Sequence, residues 1–167
     1  GIYVYKANLT MTGGVVSGNK AQSSGGGIYV TTTEMVKLSN VTITKNEGSS
    51  GGGLYLYRVK ADVKDCVISE NVSKGSGTGV YMSGSTWYFK ESGGDFTNVK
   101  FVGNQGGEGC SGAAVYMNSD VPETTFTNCL IADNTCENYS GGIYSAAGAK
   151  PVLIDCELTG NYAKKYG

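Results

Sequence analysis

Few residues in this 167-residue chain could do chemistry, and their types are informative. Histidine is absent, which removes the commonest general base and every histidine-dependent triad. Arg58 is the single arginine, so a site that relied on guanidinium groups would have little to draw on. The carboxylates that could pair for glycosidic cleavage are Asp65 with Asp155 and Glu70 with Asp133. Such a pair must stand about 5–9.5 Å apart. Five cysteines are present, but no Cys or His spacing suggests zinc, and no acidic cluster or glycine-rich nonapeptide suggests calcium. The single tryptophan lies in Trp87-Tyr88-Phe89, the densest aromatic run. Whether any two of these groups meet depends on the elements that carry them.

Those elements repeat. A small residue, an aliphatic and a tyrosine recur at Gly1-Ile-Tyr3, Gly27-Ile-Tyr29, Gly53-Leu-Tyr55, Gly79-Val-Tyr81, Ala114-Val-Tyr116 and Gly142-Ile-Tyr144. The tyrosines are spaced by 26, 26, 26, 35 and 28 residues. A second phrase alternates with the first and ends on asparagine: Val16…Asn19, Ile43…Asn46, Ile68…Asn71, Phe101…Asn104, Ile131…Asn134 and Leu158…Asn161. A period of this length is the signature of a solenoid. Around each tyrosine the residues alternate and are rich in β-branched and aromatic types, as in strands. Between the phrases a corner position holds Gly13, Asn40, Asp65, Asn98, Asn128 and Asp155, all residue types that tolerate left-handed backbone. One turn cannot bury its apolar face, but six stacked turns share a continuous core. The expected fold is therefore all-β: a right-handed parallel β-helix of about six coils with three short strands per coil. The handedness follows the general bias of β crossovers. At about 4.8 Å per coil the rod is on the order of 29 Å long.

The two phrases resemble the repeats of polymorphic outer-membrane proteins. Gly26-Gly-Ile28, Gly52-Gly-Leu54 and Gly141-Gly-Ile143 match the first phrase of that family, and Phe101-Val-Gly-Asn104 matches the second in full. The other five second phrases substitute an aliphatic for Phe, and the tyrosine after the aliphatic is this chain's own addition. The resemblance spans essentially the whole chain. It implies a β-helical passenger on a cell surface, commonly an adhesin.

Stacking gives each candidate residue a row. Asn19, Asn46, Asn71, Asn104, Asn134 and Asn161 form an amide ladder, read as structural because every turn has it. Tyr29, Tyr55, Tyr81 and Tyr116 belong to an aromatic row that either stabilises the sheet or offers a surface to protein or sugar. The coil after Tyr81 is long, with 23 residues to the ladder asparagine against 16–18 elsewhere. The excess falls in residues 83–95 and includes Trp87, Tyr88 and Phe89, a candidate grafted binding loop. Cys66, Cys129 and Cys156 share a row and read as small buried hydrophobes, although Cys129 and Cys156, on adjacent turns, could also bridge. Cys110 and Cys136 lie in return loops of adjacent turns and are the best disulfide candidate. Of four glycosylation sequons, at Asn8, Asn40, Asn71 and Asn138, the loop residue Asn138 is the best acceptor candidate. On their rows Asp65 and Asp155 are three coils apart, near 14 Å, and Glu70 and Asp133 two coils apart, near 10 Å.

The expectation is a non-catalytic extracellular or cell-surface segment without cofactor or metal. Its alternatives are a fibre or appendage subunit and a carbohydrate-binding or polysaccharide-degrading β-helix. Expected partners are neighbouring repeats of a longer chain, then a host-surface protein or glycan, or lateral self-association. A net charge of −1 argues against nucleic acid, and no apolar run is long enough to insert in a membrane.

Overall fold

The computed structural model describes residues 1–84, 93–119, 121 and 123–167. Trp87, Tyr88 and Phe89 lie outside the described residues. The chain winds through six coils whose strands stack into parallel ladders. The first ladder holds Ile2–Tyr5, Ile28–Thr31, Leu54–Tyr57, Val80–Ser83, Val115–Met117 and Ile143–Ser145. Its register aligns the repeated phrase with itself, so that Ile28 pairs with Leu54 and Tyr29 with Tyr55. A second six-strand ladder runs from Leu9–Thr12 to Pro151–Ile154, and a third from Val15–Ser17 to Glu157–Thr159.

A fourth ladder corrects the expected three strands per coil. It consists of the two-residue strands Glu47–Gly48, Val72–Ser73, Gln105–Gly106, Thr135–Cys136 and Tyr162–Ala163, with a single bridge from Lys20 to Glu47 in the first coil. Two residues cannot display an alternating pattern, so the strand leaves no periodic trace in the sequence. The inserted segment is also shorter than 83–95. Ser83 ends a strand of the first ladder, and Gly93–Thr97 is a full strand of the second.

Sharp corners separate the ladders. Between the second and third, Gly13, Asn40, Asp65, Asn98, Asn128 and Asp155 all have positive φ, as their residue types predict. Between the third and fourth, Gly18, Lys45, Glu70, Gly103, Asp133 and Gly160 do the same. In that second row Lys45 and Glu70 each carry about 1–2 kcal/mol of left-handed strain. The geometry of the rod imposes it, since the flanking ladders hold every coil in one register.

The core is the inward row of each ladder. Ile28, Leu54, Val80 and Val115 are fully buried on the first, and Ile43, Ile68, Phe101 and Ile131 on the third. Phe96, Phe101 and Phe126 fill the middle coils, with Phe96 and Phe126 stacked at 5.2 Å and Phe101 set edge-on to Phe126 at 6.1 Å. In the last coil Leu158 is 51 % exposed, because it has a neighbouring coil on one side only.

The asparagine ladder stitches these coils together. Each Nδ2 donates to the Oδ1 of the next asparagine: Asn19 to Asn46 at 2.9 Å, Asn46 to Asn71 at 3.1 Å, Asn71 to Asn104 at 2.9 Å, and Asn104 to Asn134 and Asn134 to Asn161 at 2.8 Å. The same Oδ1 accepts the previous asparagine's backbone N–H at 3.0–3.1 Å. The second Nδ2 proton reaches back to a carbonyl of the preceding coil, as from Asn71 to Ile43 at 3.1 Å and from Asn104 to Ile68 at 3.0 Å. That carbonyl belongs to the residue that opens the preceding coil's x-x-Asn phrase. The amide is thus fully satisfied in both directions, as a buried amide must be. Gly27 and Gly53 sit against this ladder, and a Cβ there would lie 3.0 Å from Asn46 Cγ and 2.9 Å from Asn71 Nδ2.

Candidate functional site

The outward row of the first ladder is an unbroken column of tyrosines. Ring centroids are separated by 5.3 Å from Tyr3 to Tyr29, 4.7 Å to Tyr55, 4.6 Å to Tyr81, 5.0 Å to Tyr116 and 5.3 Å to Tyr144. The ring planes lie within 3–19° of parallel. In-register parallel strands force this, because equivalent side chains project side by side at the inter-strand spacing. Tyr29, Tyr55, Tyr81 and Tyr116 are half-buried. Their faces cover one another, and what reaches solvent is a line of ring edges and hydroxyls. Burial, and then the neighbouring phenols, push the Tyr29, Tyr55 and Tyr116 hydroxyls above the usual tyrosine range, so these three stay protonated at neutral pH.

This arrangement decides between two uses of an aromatic stripe. Stacking on a sugar needs an open ring face, and along the column each interior face is already taken by a ring about 5 Å away. The outward ring edges and hydroxyls suit protein contact better than stacking on a sugar. Two further aromatics widen the strip on the same strands. Tyr57 follows Tyr55 by two residues and lies under Arg58, whose guanidinium is 4.8 Å from the ring centroid. Tyr5 is 54 % exposed, with Lys6 at 5.0 Å from its ring. The sequence reading missed this flanking pair. Its signal was legible in the i, i+2 spacing that puts Tyr5 and Tyr57 on the tyrosine face.

The corner carboxylates are spaced as their rows predict, Asp65 and Asp155 three coils apart and Glu70 and Asp133 two. Asp65 and Asp155 are separated by Asn98 and Asn128 in the corner row, and Asn98 Nδ2 donates to Asp65 at 2.8 Å. Glu70 is separated from Asp133 by Gly103 and pairs with Lys45 at 3.7 Å. Asp62 and Asp95, by contrast, are direct register partners on the outward face of the second ladder. Each stands three residues before its corner residue, Asp65 or Asn98, and counting back from the corners would have found them. Lys64 pairs with Asp62 at 3.0 Å.

The remaining candidates are dispersed. Cys66, Cys129 and Cys156 share the row after the corner, the first two buried, and each donates to a carbonyl, as Cys129 does to Phe96 at 3.3 Å. Burial raises the Cys66 thiol and pushes the Cys129 thiol up to about 11. Cys110 and Cys136 meet under the fourth ladder as unbridged thiols. Asn138 is half-buried in its return loop, Asn71 is fully buried in the ladder, and Asn40 is exposed at a corner. Among the described residues no three potential metal ligands come together.

The pattern that defines the right-handed β-helix region matches residues 1–108. The chain belongs to that family. Comparison with curated proteins and with solved structures gives no match.

Proposed function

We propose that the chain is a non-catalytic, extracellular β-helical segment of the polymorphic outer-membrane type. It serves as an adhesin or surface passenger, with the tyrosine face as its lateral contact surface. The observation that carries this reading is the tyrosine column. It runs through all six coils, its ring faces are closed on one another, and its edges and hydroxyls form one continuous line. A line of that kind suits an extended protein partner better than a single sugar ring. The same line pairing between copies of the chain would make a fibre or appendage subunit. Changing Tyr29, Tyr55 and Tyr81 together to Ser tests both uses. Loss of binding to cell-surface protein supports the adhesin, and loss of self-association supports the fibre. Unchanged behaviour in both assays would remove the tyrosine face from the account. Binding lost instead in Trp87→Ala would move the contact to the inserted segment.

A second reading rests on Asp62 and Asp95. Two carboxylates in register on adjacent parallel strands stand about 5 Å apart at the backbone, and the β-helix family includes polysaccharide-degrading enzymes. Turnover of a polysaccharide by the chain, abolished in Asp62→Asn and Asp95→Asn, would establish this reading and displace the first.

A further inference from the structure

Beneath the fourth ladder lies a second apolar cluster, separate from the main core. It consists of Cys110, Cys136 and Ala113, with Ala163 packed against it. Cys110 is 0 % and Cys136 1 % exposed. Cys136 is the inward residue of its strand and pairs in register with Gly106 one coil earlier. Gly106 leaves its inward slot empty, and Cys110 fills it. A tight turn, closed by the Cys110 N–H donating to Gly107 at 2.9 Å, folds Cys110 back into that slot. A Cβ on Gly106 would run into Cys110 Sγ and would lie 2.6 Å from its Cβ. The Cys110 side chain therefore stands where the ladder residue beside Cys136 would be. Cys136 Sγ donates to the Cys110 carbonyl at 3.1 Å. The Thr78 hydroxyl lines the same slot, 2.9 Å from where a Gly106 Cβ would stand. Thr78 in turn shares a 2.7 Å hydrogen bond with Ser73.

We propose that Cys110 and Cys136 form a disulfide clasp that fastens the return segments of the fourth and fifth coils, closed by exchange with an external disulfide. One cysteine thiolate attacks a sulfur of the external disulfide, forming a mixed disulfide and releasing the first external thiol. The second cysteine thiolate then attacks the mixed disulfide, forming the Cys110–Cys136 bond and releasing the second external thiol. Two protein thiols are oxidised to one disulfide, one external disulfide is reduced to two thiols, and the cysteine protons leave on those thiols.

The other adjacent pair, Cys129 and Cys156, is less suited to bridging. Both occupy the same position of successive coils, so their Cβ atoms project in parallel about 4.8 Å apart, beyond the 3.5–4.5 Å that a disulfide spans. Cys110 escapes that constraint because it enters its slot from a loop. Burial also raises the Cys110 thiol well above its usual range, which starves the folded protein of thiolate. The clasp therefore closes as the coils assemble, and once closed it is shielded from reductant. The inference is independent of what the tyrosine face binds.

The test refolds the full chain from denaturant with reduced and oxidised glutathione. The product is then acid-quenched, alkylated with iodoacetamide under denaturing conditions and mapped by mass spectrometry. A Cys110–Cys136 peptide pair with alkylated Cys66, Cys129 and Cys156 is the expected result. Alkylated or glutathionylated Cys110 and Cys136 in the folded product, or a dominant Cys129–Cys156 pair, would overturn the proposal. A second readout compares melting of the oxidised and reduced chain. Closing a loop of this length should raise the midpoint on the order of 5–10 °C. That difference should persist in Cys129→Ala/Cys156→Ala and vanish in Cys110→Ala/Cys136→Ala. Equal midpoints for the oxidised and reduced wild-type chain would also overturn it.

Discussion

The asparagine ladder and the tyrosine column are built by the same rule and end in opposite states. Each places one residue per coil in register with its equivalents. Asn46, Asn71, Asn104 and Asn134 are fully buried, and their amides are satisfied on both sides. Tyr29, Tyr55, Tyr81 and Tyr116 are half-buried and retain an open edge. Repetition alone therefore does not separate scaffold from surface. The separation comes from which side of the strand carries the row and from whether its bonding groups are used up within it. The amide has no capacity left for a partner, whereas the phenol column keeps its outer edge at the surface.

The sharpest way to break this contrast is to interrupt the ladder. Asn71→Ala strands the backbone N–H and Nδ2 of Asn46 together with the carbonyl of Ile43 in a buried setting. A loss of about 3–5 kcal/mol is expected from urea unfolding. Asn19→Ala, in the first coil and partly exposed, should cost clearly less. Equal costs would mean that the ladder does not act as a buried chain.

Interrupting the column should matter less. Tyr55→Ala removes two stacked contacts and half-buried area, for about 1–3 kcal/mol. Tyr55→Phe keeps the stack and should change stability by less than about 1 kcal/mol. Since Phe lacks the hydroxyl, it should still weaken any contact made through the edge line.

The column also sets a pH dependence. The folded-state pKa values of Tyr29, Tyr55 and Tyr116 are raised above the unfolded value near 10. Their contribution is fully present below about pH 10 and is lost as pH rises through the higher folded values. Unfolding midpoints at pH 9 and pH 11 should therefore fall with pH. Phenolate absorbance should develop at higher pH in the folded chain than in urea. The smallest effect is expected at Asp62→Asn, where a surface pair with Lys64 contributes about 0–1 kcal/mol.

Much of this architecture was legible in the residues, for definite reasons. Corners occupied by Asn, Asp and Gly advertise left-handed backbone, and all six have it. The two repeated phrases fix the register because each begins or ends on a residue that only one environment suits. What escaped notice had no such chemical marker. The fourth ladder is two residues long and made of pairs as unlike as Glu47-Gly48 and Thr135-Cys136. Lys45 and Glu70 take left-handed backbone that long charged side chains do not announce. Asp62 and Asp95 looked unrelated because they are 33 residues apart in the chain, across the long coil. Their common distance from the corner residues Asp65 and Asn98 was the one signal, and the register of the second ladder makes them neighbours.

Nuclear Overhauser contacts among selectively labelled tyrosine rings in solution test the central claim most directly. Successive ring-to-ring cross-peaks are expected in the order Tyr3, Tyr29, Tyr55, Tyr81, Tyr116 and Tyr144, with none that skips a coil. Rings that show no contact with their neighbours along the rod, or that contact out of this order, would contradict it.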